Sequence, residues 1–284
     1  MAISQIRPDI RASHGTEAAP HMKQSGFRRV SVIALNTFRE SVRDRVLYNL
    51  ILFVLVLVGA SVFISQLSID YESQFTAALG LSVMLVFGAL ISIFIGVGLV
   101  YKEIDKRTIY SLLSKPVRRY EFIIGKYLGL CMTLLVNSTV MVAGIELALL
   151  YVNRGLVPLH VAVLPAAFLL YLELILIVAI ALLFSSFSTP MLAALLSFAI
   201  YVIGHFSADL KLAAELSDSN PVRAILTGAY YLLPNFANFS YIAEASHGRV
   251  APLQAVVSAS LYALVYIGML VSASVLIFEK RNFK

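Results

Sequence analysis

Cysteine is nearly absent from this sequence: Cys131 is the single one in 284 residues. A disulfide framework and any multi-cysteine metal or iron–sulfur site are thereby excluded. Charge is scarce as well. Asp, Glu, Lys and Arg make up 13% of the chain and the broad apolar class 60%, against about 25% and about 45–50% in soluble domains. The mean hydropathy is +0.86. These displacements point to lipid, and they exclude a soluble enzyme, a nucleic-acid-binding domain and a disordered protein. Phosphate-binding motifs are also missing. Neither G-x-x-x-x-G-K-[ST] nor G-x-G-x-x-G occurs, and Gly125-Lys126 is followed by Tyr127, with Tyr120 where the first loop glycine would stand. The chain is therefore expected to be no enzyme, with no P-loop and no directly bound cofactor. No His-x-x-x-His or Glu-x-x-His pattern is read as a metal site. Ser197 and His205 lie on one predicted span but about 12 Å apart along it, too far for a nucleophile and its base.

What the sequence does have is long apolar runs. A helix crossing about 30 Å of hydrocarbon takes about 20 apolar residues, and six stretches qualify: 46–66, 79–101, 127–152, 161–184, 190–206 and 254–278. The fold class expected is all-α, a polytopic integral membrane protein of six transmembrane helices. Residues 1–26 hold no apolar run of signal-peptide length. They read as a disordered cytoplasmic tail, within which Met22 offers an alternative start. Residues 27–284 read as one membrane domain without an internal repeat.

Basic residues set the orientation. Of the 22, 18 fall before the first span, between the second and third, or after the last. Arg154, Lys211, Arg223 and Arg249 alone fall in the loops opposite. The positive-inside rule then puts both termini in the cytoplasm. Two connections exceed a turn: 102–126 on the cytoplasmic side and 207–253 outside.

Four features stand out along the chain. Phe27, Val30, Ala34, Phe38 and Val42 recur at helical spacing, so 27–45 is expected to be an amphipathic helix at the membrane interface. Glu173, midway along the fourth span, and Glu146, towards the outer end of the third, are expensive groups in lipid. They could mark a substrate, ion or proton path, or form polar clasps, with Asn137 as one candidate partner. Gly88, Ser92 and Gly96 on the second span suit close helix packing. Finally, the stretch 102–122 places Ile109, Leu112 and Leu113 on one side of a short helix that Pro116 ends. An apolar ridge facing water invites a partner's groove.

With Ala34 to Arg45, the pattern Glu103…Thr108-Ile109…Leu112-Leu113-Ser114-x-Pro116…Arg119…Gly125-Lys126, and Tyr230 to Phe236 all in view, the chain resembles permease subunits of the type-2 ABC exporter family. Within it the likeness is to the copper-enzyme-maturation-type branch, and it covers roughly residues 27–284. The resemblance implies an exporter subunit of the prokaryotic cytoplasmic (inner) membrane. The lipid bilayer and a second permease, as a homodimer or pseudo-symmetric pair, would be its partners together with a separate ABC ATPase that carries ATP and Mg. Glu103, Thr108, Ile109, Leu112, Leu113, Pro116, Arg118 and Arg119 would belong to a coupling helix seated on that ATPase. Tyr231, Pro234, Asn235 and Phe236 would belong to an outer, partly re-entrant gate. Two rival readings remain open. One is an ion-driven secondary transporter using Glu173 and Glu146; the other is an ATP-driven subunit acting mechanically on an outer partner.

Overall fold

The computed structural model describes residues 26–43, 71–105, 118–155, 157–217 and 219–280, together with positions 52, 53, 56 and 59. There is no strand among the described residues. The helices are α1 (Gly26–Arg43), α2 (Glu72–Asp105), α3 (Arg119–Asn153), α4 (Pro158–Ser185), α5 (Pro190–His205), α6 (Ser207–Leu216), α7 (Asn220–Leu232), α8 (Ile242–Ser246) and α9 (Leu253–Lys280), with a 3-10 turn at Phe236–Phe239 before α8. Three of them, α4, α5 and α7, open with a proline in the first turn, where the missing N–H costs no intrahelical bond.

Four helices are long and apolar enough to cross a membrane: Glu72–Gly98, Tyr120–Asn153, Pro158–Ser185 and Leu253–Phe278. They correspond to the second, third, fourth and sixth predicted spans. The first predicted span lies outside the described residues except for positions 52, 53, 56 and 59. The fifth keeps its expected bounds within a residue but is not by itself a full span. With 16 residues, α5 is about 24 Å long, short of a hydrocarbon core of about 30 Å. At Phe206 the backbone leaves helical geometry (φ −90°, ψ 21°), and the path bends by 69° between Pro190–His205 and Asp209–Leu216. Only the bent pair taken together has the length and apolarity of a span.

The centre of the structure is α4, which packs against α2, α3, α5, α8, α9 and the 3-10 turn. Small residues let α2 approach it. A Cβ added at Gly88 would stand 2.6 Å from the Leu174 side chain, and one at Gly96 would stand 2.7 Å from the Ala181 Cβ. Ser92 between them is wholly buried. The stripe on α2 is thus a packing seam. Hydroxyls tie α4 to its neighbours: Tyr127 on α3 donates to the Ile175 carbonyl (3.1 Å) and Ser185 to the Val97 carbonyl on α2 (3.1 Å).

The end of α2, the starts of α3 and α5, and the end of α9 share one pole, which may be named the basic end after the 102–126 connection. There α1 lies along the first turns of α3. Its buried face is Ala34 and Thr37, and it meets Gly125 and Gly129. A Cβ at Gly129 would stand 2.5 Å from the Ala34 carbonyl oxygen, and one at Gly125 would stand 2.8 Å from the Ile33 Cβ. Of the expected stripe, Ala34 is buried against α3, Val30, Phe38 and Val42 are half-buried, and Phe27 is exposed.

Candidate functional site

Of the stretch expected to couple to a partner, Thr108, Ile109, Leu112, Leu113 and Pro116 lie outside the described residues. Glu103 belongs to the last turns of α2 and Arg119 opens α3. Arg118 is exposed; its guanidinium lies 6.0 Å from the Tyr120 ring centroid and 3.4 Å from the Tyr120 hydroxyl.

The returning limb of that stretch is anchored by Glu121, which the sequence motif contained without a role. Its carboxylate is 2% exposed. One oxygen accepts the Arg118 backbone N–H at 3.1 Å, and the other faces the Arg29 guanidinium of α1 at 3.4 Å. An acidic residue in the first helical turn meets unpaired N–H groups and the positive end of the helix dipole. Five residues on, Lys126 faces Glu40 of α1 at 4.0 Å; that pair, half in solvent, contributes little. Phe122 stacks on Phe278 of α9, with centroids 6.2 Å apart and planes at 21°. One turn of α3 thus joins the predicted coupling stretch to both α1 and α9. The signal was legible: Glu three residues after a helix boundary and before an apolar run, with glycines four apart beyond it.

The interior carboxylates each meet a histidine, which sequence reasoning did not pair. Glu146 on α3 bonds the Nδ1 of His160, in the first turn of α4. The fourth span starts earlier than predicted and brings that histidine inside it. Glu173, 0% exposed, faces Nε2 of His205, the last residue of α5, at 3.5 Å. The His205 Nδ1 lies 3.3 Å from the Tyr201 carbonyl oxygen. No hydrogen bond joins Glu173, Glu146 and Asn137 to one another. Asn137 is 2% exposed and its amide has no partner among the described residues. The three do not form one cluster.

Three of the four predicted outer gate residues, Pro234, Asn235 and Phe236, converge on the broken end of α5. Phe236 is fully buried and its ring centroid lies 5.6 Å from that of His205 and 6.0 Å from that of Tyr201. Gly204 makes room: a Cβ there would meet the Phe236 ring at 2.5 Å and the Pro234 carbonyl oxygen at 2.6 Å. Asn235 holds the irregular backbone together. Its Oδ1 accepts from the Ser207 hydroxyl (2.6 Å) and the Ala237 N–H (3.0 Å), and its own N–H donates to the Tyr262 hydroxyl (2.8 Å). Non-helical backbone at membrane depth survives only where such partners satisfy it. Tyr231 is exposed and touches the bundle through its carbonyl, which accepts from the Tyr266 hydroxyl at 3.5 Å.

A Glu-x-x-His spacing at Glu244–His247 escaped the sequence reading. The His247 Nδ1 turns back to the Ala243 carbonyl at 2.8 Å, and no group of three or more His, Cys, Asp or Glu side chains that could hold a metal occurs among the described residues. Beside it lies a cavity of about 510 Å³ bordered by Asn238, Tyr241, Glu244, Ser258 and Tyr262.

Comparison with curated proteins found no match. A family model described as ABC-2 family transporter protein matches residues 31–282. That match spans α1 through α9 and takes in the broken α5 and the Glu121 anchor alike, so the chain belongs to the ABC-2 transporter family and is an ABC transporter membrane subunit.

Proposed function

We propose that this chain is the permease subunit of an ATP-driven exporter in a prokaryotic cytoplasmic membrane, of the copper-enzyme-maturation-type branch, with ATP and Mg bound and hydrolysed on a separate ATPase subunit. The permease pairs with a second copy, its termini lie in the cytoplasm, and residues 102–122 dock on the ATPase. The observation that carries this reading is the anchor at the basic end. Displacement of Arg118 is passed by Glu121 to α1 through Arg29, and by Phe122 to α9 through Phe278. A push on the docking stretch therefore moves several helices together rather than flexing a loop. At the far pole, the broken α5 and the Pro234–Phe239 turn form the outer gate, supported by the burial of Phe236 and Phe239.

The test is the docking ridge. Burying a leucine side chain contributes about 1.5–3 kcal/mol, so losing Leu112 and Leu113 from a groove should weaken docking by about a hundredfold or more. Leu112→Asp with Leu113→Asp should leave a folded, inserted permease that no longer retains the ATPase on purification. Retention of the ATPase by the double variant, with no crosslink from 102–122 to it in the wild type, would refute the docking role.

A further inference from the structure

The Glu173–His205 contact has a proton count. A carbonyl oxygen only accepts, so the His205 Nδ1 facing the Tyr201 carbonyl at 3.3 Å carries its hydrogen. That leaves Nε2 facing Oε1 of Glu173 at 3.5 Å. Neither of these two atoms has a hydrogen-bond partner among the described residues, and neither does the second Glu173 oxygen. With no proton between them, a carboxylate would face an imidazole lone pair, which is repulsive. With two, the site would carry an uncompensated positive charge beside a wholly buried carboxyl. One proton, on the carboxyl or on the imidazole, makes the pair neutral and the contact attractive.

The groups around the pair leave that count alone. Facing it are the Tyr201 phenol from α5 and the Phe236 ring from the 3-10 turn. Of the charged groups on the helices packed against α4, Glu121 faces Arg29, Lys126 faces Glu40 and Glu146 bonds His160. Glu72 lies in the first turn of α2, Glu244 borders the cavity beside Tyr262, and His247 next to it turns to the Ala243 carbonyl. The Tyr127 hydroxyl is held by the Ile175 carbonyl. On α6, Asp209 and Lys211 follow the bend.

We propose that Glu173 and His205 form a binding site for a single proton, and that this proton clasps the broken end of α5, with the outer segment built on it, against α4. The linkage follows from position. His205 is the last residue of α5, Phe206 turns the chain, and Gly204 carries the Pro234–Phe236 backbone. Releasing His205 from Glu173 frees the support of that segment. Once water reaches the pair, the carboxyl ionises and the imidazole is neutral above its ordinary value of about 6.5. The closed arrangement then holds one proton more than the open one. Raising pH favours opening, by at most about tenfold per pH unit for one proton.

Hydrogen–deuterium exchange of residues 206–240 tests this in the full chain in lipid nanodiscs, without nucleotide, so that failure leaves the permease assignment standing. Glu173→Gln is the reference, because its amide can donate to Nε2 without titrating. Dividing wild-type by variant exchange at each pH cancels the chemical rate. The ratio should be near one in mildly acidic buffer and rise with pH, up to about tenfold per unit, whereas His205→Leu should exchange fast at every pH. If Glu173→Gln fails to fold, the paired Glu173→Leu with His205→Leu serves as the non-titrating reference, since an apolar pair can replace a buried polar one. A ratio that stays flat with pH, or a His205→Leu segment protected like the wild type, would overturn the proposal.

Discussion

Exchanging one glycine for alanine should have opposite effects at two positions of this bundle. At Gly129 on α3, the new Cβ would stand 2.5 Å from the Ala34 carbonyl oxygen and 2.6 Å from the Thr37 Cβ. Ordinary carbon–oxygen contacts lie at about 3.3–3.6 Å, so α1 must retreat by roughly 1 Å. Neither neighbour can swing aside. The carbonyl is backbone, and Thr37 is 3% exposed with its hydroxyl donating to the Ile33 carbonyl at 2.9 Å. Overpacking of this kind costs about 1–3 kcal/mol, offset by about 0.5–1 kcal/mol from replacing glycine inside a helix. The net expectation is a destabilisation of about 1 kcal/mol, within a range of about 0–2.5 kcal/mol. At Gly268 on α9 no atom lies within 4 Å of the built Cβ, so only the gain of about 0.5–1 kcal/mol remains. Since 1 kcal/mol moves the melting temperature by about 2–4 °C in chains of 150–250 residues, Gly129→Ala should melt lower than wild type and Gly268→Ala slightly higher in the same detergent. Gly129→Val should be worse than Gly129→Ala. Equal shifts at the two sites, or a valine no more harmful than alanine, would refute the close seating of α1 on α3.

Glu121→Ala removes both an acceptor for the first turn of α3 and the partner of Arg29, and should destabilise by about 1–3 kcal/mol. A double-mutant cycle with Arg29→Ala should return a coupling energy near or above 1 kcal/mol; a coupling of zero would dissolve the anchor. Asn235→Ala should lower thermal stability by about 0.5–2 kcal/mol, and Asn235→Asp, which keeps the accepting oxygen for Ser207 and Ala237, should recover most of the loss. Orientation is checked by single cysteines at Ser114 and Val250 in a Cys131→Ser background. They should label from opposite faces; Val250 is 50% exposed, whereas the nearby Ser246 is too buried to report.

The elements of this fold that crossed from sequence to structure intact are those set by local composition. Runs of about 20 apolar residues have only one economical backbone in lipid, the helix, and so α4 and α9 could be placed within a few residues, whereas α2 and α3 begin seven and eight residues before their apolar runs. The spacing of Phe27, Val30, Ala34 and Phe38 likewise dictated a helix over α1, and Gly88, Ser92 and Gly96 a seam on α2, because helical period alone puts such residues on one face. Family membership was legible for a similar reason: it rests on motifs in contiguous stretches.

Partner choice was not legible, because it is decided by which helices touch and at what height. Glu173 and His205 are 32 positions apart in sequence and meet only because α4 and α5 run antiparallel from one turn and α5 stops partway. The apolar run 190–206 ends within a residue of that stop, but nothing in it announced the 69° bend that follows. The bend is held by the packing of Pro234 and Phe236 on Gly204, and by the hydrogen bonds that Asn235 accepts from Ser207 and Ala237 and donates to Tyr262. Similarly, the amphipathic stripe of α1 fits a lipid surface or a protein groove equally well, since burial of apolar area is non-directional. Around Ala34 and Thr37 the glycines of α3 seat it on protein, by letting the two backbones approach closer than any side chain would allow.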